Sequence, residues 1–276
     1  MRERPDTLAH AVLLLGVLLF ALPVWLVFAG STQDSEAIMR GELSLVPQLS
    51  HLGVYTRVLT TSTMGSAPVW HMLLISLGMA LAIAFGKIVI SVLSAYAVVF
   101  FRFPCRQLAF WAIFVTLMLP VEVRIIPTYA VMAGFGLINS FTGLWVPLIA
   151  SATATLLFRQ VFSAIPDELL EAARIDGAGP LRFLWDIVLP VSRANIAALF
   201  VILFVYGWNQ YLWPLLVATN QGLDTIVIGI VKMIGQETQT DWSAVMATTV
   251  LALLPPVGVV VLMQRWFVAG LTEGEK

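Results

Sequence analysis

The chain has 276 residues, 59% of them hydrophobic and 11% charged, with a formal net charge of −1. Soluble domains carry about 25% charged residues, so a deficit of this size along the whole length excludes an ordinary soluble globule and points to an integral membrane protein. The net charge says nothing of a nucleic-acid partner, but the basic patches interleaved with aromatics that mark one are absent, and none is expected.

The first apolar run, 9–30, follows Arg2 and Arg4. Its uninterrupted length exceeds the roughly 7–15 residues of a signal-peptide core, and it reads as a retained anchor. Five further stretches reach the ~20 apolar residues that a spanning helix needs: about 71–101, 107–133, 143–164, 194–217 and 244–267. They are too long and too continuously apolar for barrel strands, and helices satisfy every backbone group inside lipid. The predicted fold is therefore all-α: a single transmembrane domain, 1–276, of six helices. No internal repeat is visible.

Lys and Arg fix the expected orientation. With the N-terminus inside, the inner segments carry Arg2, Arg4, Arg102, Arg106, Arg159, Arg174, Arg182, Arg193, Arg265 and Lys276. The outer ones hold Arg40, Arg57 and Lys232, and Lys87 and Arg124 lie within spans. Ten against three puts both termini in the cytoplasm. The outer segment Ser31–Trp70 has the turn residues and mixed charge of a small packed cap.

Lys87 lies about 25 Å into the second span, too deep to reach either surface easily. Ionisable groups at such depth face a bundle interior, a partner or a water-filled path. The FGK string ending at Lys87 is no nucleotide loop, because Leu81 and Ile88 stand where such a loop needs Gly and Ser or Thr. Arg124 lies in the third span near Glu122, and Pro120 and Pro127 bracket the two and loosen the helix. Two readings stand side by side: Lys87 and Arg124 line a path for an anionic solute, or they pair with carboxylates, Glu122 or one from a partner subunit. Asn209 and Gln210, among Trp208, Tyr211 and Trp213, either contact solute or bond between helices. Pro255-Pro256 is expected to kink the sixth span.

The inner segment 159–193 contains ELLEAARIDGAGPLRFLWDIVLP, Glu168–Pro190, a dense group of charges in an otherwise apolar chain. Pro166 suits a first helical turn, Asp167 and Glu168 sit at the positive end of the helix dipole, and Gly177 suits a left-handed stop. Pro180 starts a second piece and Pro190 closes it, giving a helical hairpin at the membrane surface. Glu171 and Arg174 are spaced to pair. Small residues such as Ala172 and Ala173 allow another protein's backbone close; an amphipathic helix lying on the bilayer is the alternative.

Glu171-Ala172-Ala173, Gly177, Ile187 and Leu189-Pro190 stand at the spacing of the EAA loop, and the chain resembles the membrane subunits of binding-protein-dependent ABC importers across all six spans. LMLPVEVRIIPT (Leu117–Thr128), ASATATLLFRQ (Ala150–Gln160) and YGWNQYLWPLL (Tyr206–Leu216) resemble the carbohydrate-importer subfamily and, more narrowly, its sn-glycerol-3-phosphate permeases. The resemblance implies a type I importer transmembrane domain whose loop at Glu171, Ala172, Ala173, Gly177, Ile187, Leu189 and Pro190 couples to an ATPase. It implies as partners a second, homologous permease, an ATPase dimer and a periplasmic solute-binding protein, with membrane lipid around the spans. It implies no enzymatic activity and no cofactor in this chain, ATP and Mg2+ being used by the ATPase. A solute such as sn-glycerol-3-phosphate or a glycerophosphodiester is expected, with a neutral sugar as the alternative. A secondary transporter and a lipid-acting membrane enzyme fit less well, because neither accounts for the loop.

Overall fold

The computed structural model describes residues 7–62, 66–116, 121–234 and 240–272. Among them there is no strand. The helices are α1 (Thr7–Ser31), α2 (Ser35–Met39), α3 (Gly53–Thr60), α4 (Val69–Phe100), α5 (Arg106–Val115), α6 (Val121–Gly134), α7 (Phe141–Trp145), α8 (Ala152–Ser163), α9 (Asp167–Ile175), α10 (Pro180–Phe183), α11 (Leu189–Val191), α12 (Arg193–Trp208), α13 (Leu212–Val217), α14 (Ile226–Ile234) and α15 (Trp242–Thr272). α1, α4 and α15 are each long and apolar enough to cross a membrane unbroken. Two bent pairs qualify when each is counted as one span.

The predicted run 143–164 is not one helix. A single 3-10 turn, Val146–Leu148, follows α7, and α8 restarts at a 50° bend. Two polar signals explain the break. Pro147 has no N–H to give the ladder. Ser151 caps the new helix, its hydroxyl accepting from the Ala154 N–H at 3.3 Å. The predicted run 194–217 is likewise interrupted, since α12 ends at Trp208 and α13 begins at Leu212, with Asn209 as the C-cap of α12. The run 107–133 appears as α5 and α6; Pro120 lies outside the described residues. Pro255 and Pro256 do not interrupt α15, whose helical assignment runs through them.

Backbone contacts divide the chain into two units. The first comprises 1–73 and 224–254. Here the chain after α1 is held by side chains that stand in for secondary structure. The Gln33 amide donates to Ala29 O (3.0 Å) and Ser44 O (2.6 Å) and accepts from the Ser44 N–H (2.9 Å). Trp25 Nε1 donates to Leu45 O at 3.0 Å, and Tyr55 shares a 2.6 Å hydrogen bond with Ser31. Ser35 Oγ donates to Thr240 O and accepts from the Trp242 N–H. Asp241 accepts from Arg57 (2.6 Å), from Ser243 Oγ (2.7 Å) and from the Ala244 N–H (3.1 Å).

Burial pushes the Asp241 carboxyl up, but the Ser243, Ala244 and Arg57 donors outweigh it and hold the group below its ordinary 3.8. A carboxylate with a depressed folded pKa stabilises fully above the unfolded value and loses that contribution as pH falls through the folded one. Residues 31–62 are therefore expected to stay protease-resistant down to about pH 4 and to loosen in stronger acid. Arg57→Met should move that loosening to higher pH in a pH series of limited proteolysis; an unmoved midpoint would contradict the pin.

Asp224, just before α14, is fully buried, and Lys232 grips both of its oxygens at 2.7 and 2.9 Å. Burial raises the carboxyl's pKa, while Lys232 and His71 pull it back down. Removing one partner of such a pair strands a desolvated charge. Lys232→Met should cost about 3 kcal/mol, read as a lower melting temperature in detergent, and adding Asp224→Asn should recover most of the loss.

The second unit comprises 74–223 and 255–276. Its main core joins Val92, Ala95 and Tyr96 of α4 to Phe158 and Phe162 of α8, and to Ala173, Phe183, Leu184 and Val188. α4 and α12 touch backbone to backbone at Gly207, where a Cβ would stand 3.0 Å from Ala80 Cα. Any larger residue would have to push the two backbones apart by a few tenths of an ångström.

Candidate functional site: a surface hairpin and two cations within the spans

The hairpin forms as its residues dictate. Pro166 (φ −60°, ψ 138°) sits one position earlier than expected, as the N-cap of α9. Asp167 and Glu168 occupy the first turn and Arg174 the last, both favourable to the helix dipole. Gly177 has φ +70°. Its N–H donates to Arg174 O (3.1 Å) and the Ala178 N–H donates to Ala173 O (2.9 Å), the paired bonds of a Schellman stop.

Pro180 begins α10. Pro190 does not close the second piece. The chain widens into a π turn at Leu184–Val188, passes through Pro190 in α11 and bends by 76° into α12. The physical reason is the missing N–H and the ring of Pro190, which an α-ladder cannot accommodate and a wider turn can.

The hairpin has an inner and an outer side. Ala173, Phe183, Leu184 and Val188 are buried, with Leu170, Ala178, Ile187 and Leu189 packed beside them. Tyr96 Oη donates to Pro180 O at 2.7 Å, and Phe183 meets Phe100 edge-on at 5.2 Å. α4 and α8 thus grip the hairpin from within. Glu168, Leu169, Glu171, Ala172, Ile175 and Pro190 are exposed. Ile175 is 86% exposed, a large apolar side chain left at the surface. The expected Glu171–Arg174 pair does not form; the ion pair in this hairpin is Arg182–Asp186 at 3.2 Å.

Lys87 is 6% exposed, and its Nζ stands 3.7 Å from the centroid of the Tyr206 ring. Arg124, on α6, is exposed. Among the described residues neither cation has a carboxylate within ion-pair distance, and the Glu122 side chain lies outside those described. Gln210 Nε2 donates to Tyr206 O at 3.1 Å, on the helix that carries the ring, and Asn209 is exposed beside it. Trp208 and Trp213 are instead structural. Trp208 stacks on Phe204 at 6.0 Å, and Trp213 Nε1 donates to Gly143 O at 3.0 Å.

Tyr206 and Tyr96 were not singled out from the sequence. The signal for Tyr206 was Lys87 itself, whose depth demanded some partner. Nothing in the sequence pointed to Tyr96.

Residues 74–273 match the family described as binding-protein-dependent transport system inner membrane component. The chain is 54% identical over 278 residues to the sn-glycerol-3-phosphate transport system permease protein UgpE of Yersinia pestis bv. Antiqua (strain Antiqua), covering 100% of this chain and 99% of the relative. It is 55% identical over 273 residues to the protein of that name from Agrobacterium fabrum, covering 98% and 96%. For the Rhizobium meliloti protein the identity is 52% over 281 residues, with both chains fully covered. A solved structure described as a bacterial ABC transporter involved in the import of the acidic polysaccharide alginate superposes with a TM-score of 0.82 at 22% identity, over 97% of this chain and 99% of that one. With its six apolar stretches, its EAA-type hairpin and the fold of a type I importer transmembrane domain, the chain belongs to the family of binding-protein-dependent transport system inner membrane components.

Proposed function

We propose that this chain is one half of the translocation channel of an ATP-driven importer for sn-glycerol-3-phosphate or a glycerophosphodiester, with both termini in the cytoplasm. The observation that carries the solute class is the pair Lys87 and Arg124: two cations, one almost wholly buried, with no carboxylate of the described residues within ion-pair distance. A buried ammonium left unpaired is costly, and a path that carries phosphate esters gives it a reason to be kept. The relatives from Yersinia pestis and Agrobacterium fabrum, named as sn-glycerol-3-phosphate permeases, agree with that chemistry. Asn209 and Gln210 border the same helix end and would offer neutral hydrogen bonds to a glycerol hydroxyl.

The other half of the channel would be a homologous permease. The exposed face of the α9 hairpin, Glu168, Leu169, Glu171, Ala172 and Ile175, would seat in an ATPase subunit, two of which use ATP and Mg2+ in place of any chemistry in this chain. Pulling on α9 transmits force through Ala173, Tyr96 and Phe183 to α4 and α8, because their packed interface deforms as a unit. α4 carries Lys87, so ATPase closure and exposure of the anion site would move together. A periplasmic solute-binding protein would deliver the solute.

The test is uptake by proteoliposomes holding the complete importer. Uptake of radiolabelled sn-glycerol-3-phosphate that depends on ATP and on the binding protein supports the reading. Uptake of a neutral oligosaccharide with none of the phosphate ester would replace it with the sugar-importer reading.

A further inference from the structure

We propose that Tyr206 is a specificity-determining residue that occupies Lys87 between transport events and yields it only to a phosphate-type anion. This rests on the anionic-path reading of Lys87. The ring is held in place by the chain around it. Gly207, the next residue, brings the α12 backbone against Ala80, and its missing Cβ would also stand 3.4 Å from Ile83 Cβ. Ile83 and Lys87 are one helical turn apart on the same face of α4. Glycine contact at Ala80 and Ile83 therefore sets the register that lays the Tyr206 ring over the Lys87 ammonium at 3.7 Å.

The chemistry of that contact is suited to exchange. A ring face attracts an ammonium through its quadrupole but carries no net charge and accepts no strong hydrogen bond. The three N–H donors of Lys87 thus stay available to a dianionic oxygen, whose charge-assisted bonds are stronger. A carboxylate in the place of Tyr206 would compete with the solute. An aliphatic residue would leave the ammonium bare and open to any small anion.

The experiment uses the complete reconstituted importer and measures sn-glycerol-3-phosphate uptake as chloride replaces gluconate at constant ionic strength. Tyr206→Phe keeps the ring and should keep wild-type resistance to chloride. Tyr206→Leu and Tyr206→Met remove it, and half-inhibition should come at about tenfold lower chloride. Adding Lys87→Met to Tyr206→Leu should abolish that new sensitivity. Wild-type chloride resistance in both ringless variants overturns the proposal, as does a failure of both to assemble that Lys87→Met does not relieve. The underlying reading fails separately: undiminished uptake by Lys87→Met alone sinks the anionic path, whereas impaired uptake there with chloride-resistant ringless variants sinks only the role of Tyr206.

Discussion

Gly177→Pro is expected to abolish uptake, by at least about a hundredfold, while leaving the amount of membrane-inserted protein close to wild type. The backbone at this position has φ +70°, which a pyrrolidine ring cannot adopt, and the substitution also removes the N–H that donates to Arg174 O. The Schellman stop would open and the outer face of α9 would lose its angle to the gripped second piece. Open space surrounds the site, so the damage stays in the hairpin. Gly177→Ala gives a graded control. Its Cβ meets nothing, and the left-handed conformation costs an L-residue only about 1–2 kcal/mol, so uptake should fall by a modest factor. Glu171→Lys tests the outer face rather than the turn. The residue is exposed and makes no ion pair among the described residues, so charge reversal should cost little folding energy and act on docking alone. Equal uptake by wild type and Gly177→Pro, measured at matched protein levels, would remove the hairpin from the mechanism.

The second large effect is expected at Lys87. Lys87→Met keeps the length of the stem and its packing but removes the ammonium, and uptake of a phosphate ester should fall about tenfold to a hundredfold. Arg124→Gln should follow in the same direction with a smaller loss, because an exposed guanidinium is better screened than a buried ammonium. The double variant should lose at least as much as either single variant. Initial uptake rates for the three variants check this. Undiminished uptake by Arg124→Gln would remove that residue from the path.

Much of the fold was legible because hydropathy alone reports what a bilayer requires. α1, α4 and α15 appear close to where long apolar runs stand. The interruptions after α7 and α12 were not legible to a hydropathy window, since Pro147, Ser151 and Asn209 are too few to dilute the apolar residues around them. The hairpin could be read nearly residue by residue, because Gly177, Pro166 and Pro180 act through local backbone chemistry. Pro190 misled for the same reason: a local rule ends a helix there, whereas the buried contacts of Leu184 and Val188 favour a π turn that carries the chain past it. Lys87 announced itself by depth, but its partner sits on a different helix, and a period along one helix says nothing about what faces it across a gap. The side-chain pins of the first unit, Gln33 on Ser44 and Arg57 on Asp241, join irregular segments and left no periodic trace.

The measurement that bears most directly on the central claim is affinity purification of this chain in mild detergent, with the co-purifying proteins identified by mass. The coupling account predicts an ATPase and a second permease with the wild type, and loss of the ATPase but not the permease with Glu171→Lys or Gly177→Pro. A chain that purifies alone and still moves solute when reconstituted by itself would contradict it.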